Sequence, residues 1–291
     1  MREKFIEKIF GAPGTGKTYN LIARLQSHLD KNCPFDQTLT TTFTKVAARH
    51  IKQRIQIRNH NKFNDKELHH SVKTIDSYLM SKINEDKEIC YNKDFSLEFH
   101  GVEKESQLDD QRKRQFYWAM DILKKGRIFV GDGIENILKY YDSLGRPMIG
   151  RKSLIYIAES YANYKENHLK MDWEDVKYKG LNPKIIFPEN IVLMIDEAQD
   201  CNRLEWLVIK KLIDVSKNVY IAGDDDQAIY GFKGGEVETF LNFKVDKSTV
   251  LEESPRLNKK IWTLAETAIH LIPPENRQEK KYKPTNVNES K

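Results

Sequence analysis

Two short stretches hold the residue types that phosphate chemistry requires. GAPGTGKT, Gly11 to Thr18, fits the pattern G-x-x-x-x-G-K-[ST] in full. Glycines let backbone N–H groups turn inward around phosphate oxygens, and a helix beginning there adds the positive end of its dipole. Gly11, Ala12, Pro13, Gly14, Thr15 and Gly16 would form that cradle, Lys17 would reach the β- and γ-phosphates, and the Thr18 hydroxyl would ligate Mg²⁺. IVLMIDEAQD, Ile191 to Asp200, supplies acids. A buried strand ending in Asp196-Glu197 places one carboxylate on the metal and a second where an attacking water would sit. Asp196 is therefore expected as the metal partner and Glu197 as the general base. A chance glycine turn and a strand end capped by solvated acids are the bland alternatives. Finding both stretches in one chain disfavours them, and the pair implies a Mg²⁺-dependent nucleotide hydrolase.

A third stretch, AGDDDQAIYGFKGG from Ala222 to Gly235, crowds three aspartates ahead of Gln227, Tyr230 and Phe232. A solvated turn explains Asp and Gly but leaves the aromatics to core packing or to a binding surface. The guanine-reading N-K-x-D pattern is absent, since Asn61-Lys62 is followed by Phe63-Asn64. A small-molecule kinase would lack the DEAQD acid pair.

The elements that must hold these groups follow from periodicity. FIEKIF, Phe5 to Phe10, is a short apolar run ending in glycines, as for a buried strand entering a turn. Helical spacing follows from Thr18 to Leu29, and QTLTTTF, Gln37 to Phe43, is rich in β-branched residues and predicts a second strand. TKVAARHIKQRI predicts a helix, IVLMID a central parallel strand covered on both faces, and Arg203 to Val215 another helix. NVYIAG and STVLEE predict strands, and Leu257 to Ile272 a last helix before Pro273-Pro274. Strands alternating with helices imply an α/β fold with a parallel sheet. Residues 82–188 differ, with charge clusters such as EKESQLDDQRKR and the amphipathic run SLIYIAESYANYK. They predict a mostly helical insertion between 1–81 and 189–274, leaving 275–291 as a disordered polar tail or the start of another domain.

Composition narrows the class. The chain has 291 residues, 39% hydrophobic and 31% charged, with no apolar run long enough to span a bilayer. The N-terminus lacks the apolar core of a signal peptide. Cys33, Cys90 and Cys201 are too widely spaced for a disulfide framework or a zinc site, which fits reduced thiols in a cytoplasm. The net charge of +5 permits an anionic partner without arguing for one. Richness in Lys, Asn and Ile associates with an AT-rich genome, such as that of a phage or virus.

Taken in order, GAPGTGKT, TTFTKVAA, VKTIDSYL, VLMIDEAQD, AGDDDQAIYGFKGG and LEESPRLN resemble the blocks of UvrD/Rep-type superfamily 1 DNA helicases, from Gly11 to about Asn258. The resemblance implies a RecA-like motor domain using ATP and Mg²⁺, with single-stranded DNA or a single/double-strand junction as partner. It implies that Gln227 touches the γ-phosphate and that Tyr230 and Phe232 stack bases, worth roughly 1–3 kcal/mol per base. Phe43 would meet a base, Thr42, Thr44 and Thr74 would contact the strand, and Arg256 would neutralise charge developing in the transition state. Polarity would be 3′ to 5′.

The departures from the family pattern are specific. Only ten residues precede the phosphate loop, so the upstream adenine-reading glutamine is missing. The family's arginine after the loop threonine is Tyr19, which could stack on adenine instead. Pro255 replaces the aromatic before the finger arginine, and Asp76 replaces a histidine in the third block. No stretch resembles the later blocks of the second motor domain, so a separate second motor domain or a replisome protein is expected to complete the cleft. Two other readings stay open: a stand-alone DNA-stimulated ATPase, and a non-catalytic nucleic-acid-binding or replisome-binding module that keeps ATP as a structural ligand.

Overall fold

The computed structural model describes residues 4–83, 85–145, 147–228, 235–273, 277–281 and 283–286. The chain opens with β1 (Phe5–Gly11), α1 (Lys17–Leu29), β2 (Thr38–Thr42), α2 (Lys45–Arg58), α3 (Asp65–Ser71), β3 (Val72–Thr74) and α4 (Ile75–Met80). Next come β4 (Glu88–Ile89), α5 (Asn92–His100), α6 (Asp110–Phe129), α7 (Ile134–Asp142), α8 (Arg151–Asn167), β5 (Lys170–Met171) and α9 (Trp173–Leu181). It returns with β6 (Ile191–Ile195), α10 (Arg203–Val215), β7 (Ser216–Gly223), α11 (Val237–Asn242) and β8 (Lys247–Leu251). The last elements are β9 (Glu253–Asn258), α12 (Lys259–Ile269) and β10 (Lys283–Asn286).

Six strands form one sheet in the order β3-β2-β6-β7-β1-β8, parallel at every pairing. The α/β class expected from sequence is what forms. Burial on both faces explains the strand compositions. All five residues of β6, IVLMI, are buried, as are all five of β2, TLTTT. Threonine serves in β2 because its branched Cβ suits a pleated strand, and Thr38 offsets its hydroxyl by donating to the Phe35 carbonyl at 2.7 Å. One core joins Leu21, Ile22 and Leu25 of α1 and Ile51 and Ile55 of α2 to strand residues Ile9, Val192, Met194 and Ala222.

The described chain divides into two compact units, residues 1–78 with 186–291 and residues 79–185. Sequence alone set the helical part at 82–188. This second unit has its own core, in which Phe95 packs against Phe116, Tyr161 and Tyr164 with ring centroids 4.9–5.4 Å apart. A buried ion cluster supports it. Arg127 donates to Asp172 at 3.0 and 3.1 Å, to Asp175 at 2.7 Å and to Asp132 at 2.8 Å. Lys165 reaches Asp172 at 2.9 Å and Asp175 at 2.6 Å.

The C-terminal region departs from expectation. The predicted helix 257–272 is shorter, Lys259–Ile269, because β9 precedes it and pairs in parallel with β10. A strand reading of ESPRLN is not legible from its own residues, since it holds charges and a proline. Residues 277–281 and β10 belong to the segment expected as a polar tail, yet Lys280 is 5% exposed and ion-paired. Among the described residues no helix is long and apolar enough to cross a membrane.

Candidate active site

In an all-parallel sheet the loops leaving the strand C-termini gather at one edge, where such folds bind ligands. Here β1 delivers the glycine loop, β6 delivers Asp196 and Glu197, and β7 delivers Asp224. The glycines at 14 and 16 have φ of 76° and 89°, which side-chain-bearing residues rarely adopt. A Cβ on Gly14 would also lie 2.5 Å from the Arg256 Cβ, so the loop and the arginine come close only because position 14 is bare. Thr15 Oγ1 donates to the Ala12 carbonyl and Ser254 Oγ to the Pro13 carbonyl, both at 2.8 Å, fixing the loop from within and from β9. Lys17 is buried, and its Nζ donates to the Gly11 carbonyl at 2.8 Å with Asp224 Oδ2 3.8 Å away.

The Thr18 hydroxyl donates to Asp196 Oδ2 at 2.7 Å, joining the two sequence stretches in one contact. Asp196 is 2% exposed, and burial, then the neighbouring Glu197, push its carboxyl up to about 6. A hydroxyl beside a carboxylate is the hard-oxygen donor set that suits Mg²⁺, which takes one or two protein ligands and completes its shell with water and phosphate. Among the described residues no cluster of three or more His, Cys, Asp or Glu could hold a metal.

Glu197 sits in the left-handed region at φ 56°. Its N–H donates to Asp196 Oδ1 at 3.2 Å, and its Oε2 accepts from Gln199 Nε2 at 2.9 Å. The other end of that amide, Gln199 Oε1, accepts from the Asp224 N–H at 3.0 Å. Gln199 thus ties the acid pair to the end of β7, and Gln227 Nε2 donates to Asp224 Oδ2. Lys17, Thr18, Tyr19, Glu197, Gln227 and Arg256 all face one cavity of about 980 Å³. Tyr19 is 61% exposed there, with the Arg58 guanidinium 5.4 Å from its ring centroid.

The residues expected on a DNA strand fare differently. Thr42 is 2% exposed within β2 and offers no outer surface. Phe43 is half-buried, while Thr44 is exposed and its hydroxyl caps α2 by accepting from the Ala47 N–H at 3.0 Å. Thr74 is half-buried and accepts from the Ser77 N–H at 3.2 Å. Tyr230 and Phe232 lie outside the described residues. Sequence reasoning assigned nothing to Gln199, Ser254 or Lys280, and expected the acids of GDDD to fix their loop through backbone hydrogen bonds without giving Asp224 a role of its own. Gln199 had a signal, because it lies within DEAQD. Ser254 and Lys280 had none, because their partners are remote in sequence.

Comparison with known proteins agrees with this geometry. A family model for the UvrD/REP helicase N-terminal domain matches residues 6–248. The chain is similar to the ATP-dependent DNA helicase PcrA of Staphylococcus aureus strain Mu50, 26% identical over 282 residues that cover 90% of this chain and 37% of the relative. It is also 25% identical over 281 residues to the ATP-dependent DNA helicase PcrA of Staphylococcus epidermidis strain ATCC 35984, with the same shares covered. The chain therefore spans 37% of the length of these curated relatives.

Proposed function

This chain belongs to the UvrD/REP helicase family, and from that premise we propose that it is the nucleotide-binding part of a DNA motor. In this reading it binds ATP with Mg²⁺ and couples hydrolysis to movement on single-stranded DNA. The observation that carries the reading is the 2.7 Å contact of Thr18 with Asp196 beneath the glycine loop, with Glu197 alongside. Backbone N–H groups between Gly14 and Thr18 would hold the phosphates, and Lys17 would exchange its Gly11 carbonyl for their oxygens. Thr18 and Asp196 hold the cation, directly or through water. When bound, that cation supplies charge neutralisation at the phosphates. Glu197 accepts the proton of the attacking water, and the Gln199 amide keeps its carboxylate aimed. Gln227 reports the γ-phosphate to the DNA side, and Arg256 stabilises charge in the transition state. Tyr19, backed by Arg58, stacks on the base. On the strand side the surface residues are Phe43, Thr44 and Thr74, with Tyr230 and Phe232 as stacking platforms. A second motor domain, on this polypeptide or another, closes the cleft.

Steady-state ATP hydrolysis with and without oligo-dT, beside Glu197→Gln, tests the proposal. The expected result is DNA-stimulated turnover that the substitution lowers at least about a hundredfold, within the range for losing a general base, while a fluorescent ATP analogue still binds. Failure of the native chain to bind nucleotide, or unchanged turnover in the variant, would overturn it.

A further inference from the structure

Three consecutive carboxylates follow β7, and the described cations that neutralise them come largely from the C-terminal segment. The Lys280 side chain is fully buried, with Nζ 3.1 Å from Asp224 Oδ1, 2.5 Å from Asp225 Oδ1 and 2.9 Å from Asp226 Oδ2. Arg277 Nη2 pairs with Asp226 at 2.9 Å, and the Gln278 N–H donates to Asp225 Oδ2 at 2.7 Å. Asp224 is the shared member. One of its oxygens forms a 3.1 Å ion pair with Lys280, while the other accepts from Gln227 and lies 3.8 Å from Lys17. Burial works against the charge on Lys280, but the aspartates overcome it and hold its pKa above the ordinary lysine value.

Buried charges need partners, and losing one partner of such a set leaves the others uncompensated. Without Lys280, the cation that remains within 4 Å of Asp224 among the described residues is Lys17, the residue proposed to reach the phosphates. Asp224 would then hold Lys17 more tightly, in competition with nucleotide, and the Gln227 amide would lose its fixed acceptor. We infer that Lys280 is a positioning residue for the nucleotide site, acting through Asp224 to keep Lys17 available and Gln227 aimed. The inference rests on the proposed nucleotide site. It also gives the GDDD stretch a use that no single aspartate explains: Asp224 links to the site, while Asp225 and Asp226 gather the cations that anchor the C-terminal segment to it.

The test is ATP-analogue affinity, with Mg²⁺, for the full chain and three variants, each checked for folding by near-UV circular dichroism. Lys280→Met is expected to bind about tenfold to a hundredfold more weakly, the range for one charge-assisted hydrogen bond. Lys280→Arg, which keeps the charge, is expected to recover most of that loss. Lys280→Met/Asp224→Asn removes the charge that would otherwise hold Lys17 and is expected to bind more tightly than Lys280→Met alone. A residue that merely fills space would show no such recovery by removal of a second group. Should Lys280→Met not fold, the native chain, the double variant and Lys280→Arg carry the comparison, and a folded Lys280→Arg that fails to bind the analogue overturns the inference. Equal affinity of Lys280→Met and native also overturns it, and leaves the proposed function standing. Absence of binding by the native chain would remove the proposed function instead.

Discussion

Asp200 shows how crowded the acids around Glu197 are. Its Oδ1 is buried without a hydrogen-bond partner, and burial, then Glu197 and Glu205, push its carboxyl up to about 7. An acid whose folded pKa is raised keeps its proton in the folded state while the unfolded chain has released it. Its contribution to stability therefore falls as pH rises from about 4 to about 7 and stays lost above that. Asp200→Asn removes this slope. Thermal unfolding at pH 5 and pH 8 should show the variant gaining on the native chain at the higher pH, and a gap that does not widen would mean that Asp200 is better solvated than its burial implies. At this scale the sequence was readable wherever a role depends on neighbours in the chain. Lys17, Thr18, Asp196 and Glu197 sit in short patterns whose spacing has one chemical use. The Lys280 clamp was not readable, because its partners lie more than fifty residues upstream and nothing in NRQEKKYK marks a buried lysine.

Elements were legible in proportion to how far burial patterned them. Helix α10 runs from Arg203 to Val215 as its amphipathic spacing predicts, and Asn202 with Glu205 forms the capping box that starts it. β6 is a run of five apolar residues and admits little else. By contrast β9 exists because β10 pairs with it, a long-range cause that local composition does not encode. A packing constraint of the same hidden kind lies in α6. A Cβ on Gly126 would stand 2.7 Å from the Ile137 Cα of α7, so this glycine permits close approach of two helices rather than marking a flexible point. Alanine would gain about 1 kcal/mol in helix propensity, but overpacking against backbone costs typically ~1–3 kcal/mol. Because a backbone atom cannot swing aside as a side chain can, the clash should win. Gly126→Ala is expected to lower stability by about 1–2 kcal/mol in urea unfolding; a stabilised variant would show that α7 shifts at little cost.

Across the whole molecule, the two units place stability and proposed chemistry in different cores. The parallel-sheet unit holds every residue of the 980 Å³ cavity, while the helical unit is built on aromatic packing and the Arg127 cluster. Burial pushes the Asp172 carboxyl up, but Arg127 and then Lys165 outweigh it and bring it down to about 2. A depressed acid contributes stability that is present above its unfolded value of about 3.9 and is lost as pH falls through about 2, here about 2–3 kcal/mol. The same pairing sets the effect of mutation. Arg127→Met leaves Asp172 and Asp175 with Lys165 as their remaining cation in the cluster, and breaking a buried pair by removing one partner costs about 3–5 kcal/mol. That loss falls on the core of residues 79–185, because every partner of Arg127 in the cluster lies there. Hydrogen exchange should therefore show protection falling across α6 and α8 while β1, β6 and β7 keep theirs. Binding of an ATP analogue should be unchanged within about twofold, under 0.5 kcal/mol. If protection fell equally in both units, the cores would unfold as one, and stability and nucleotide binding could not be varied separately in this chain.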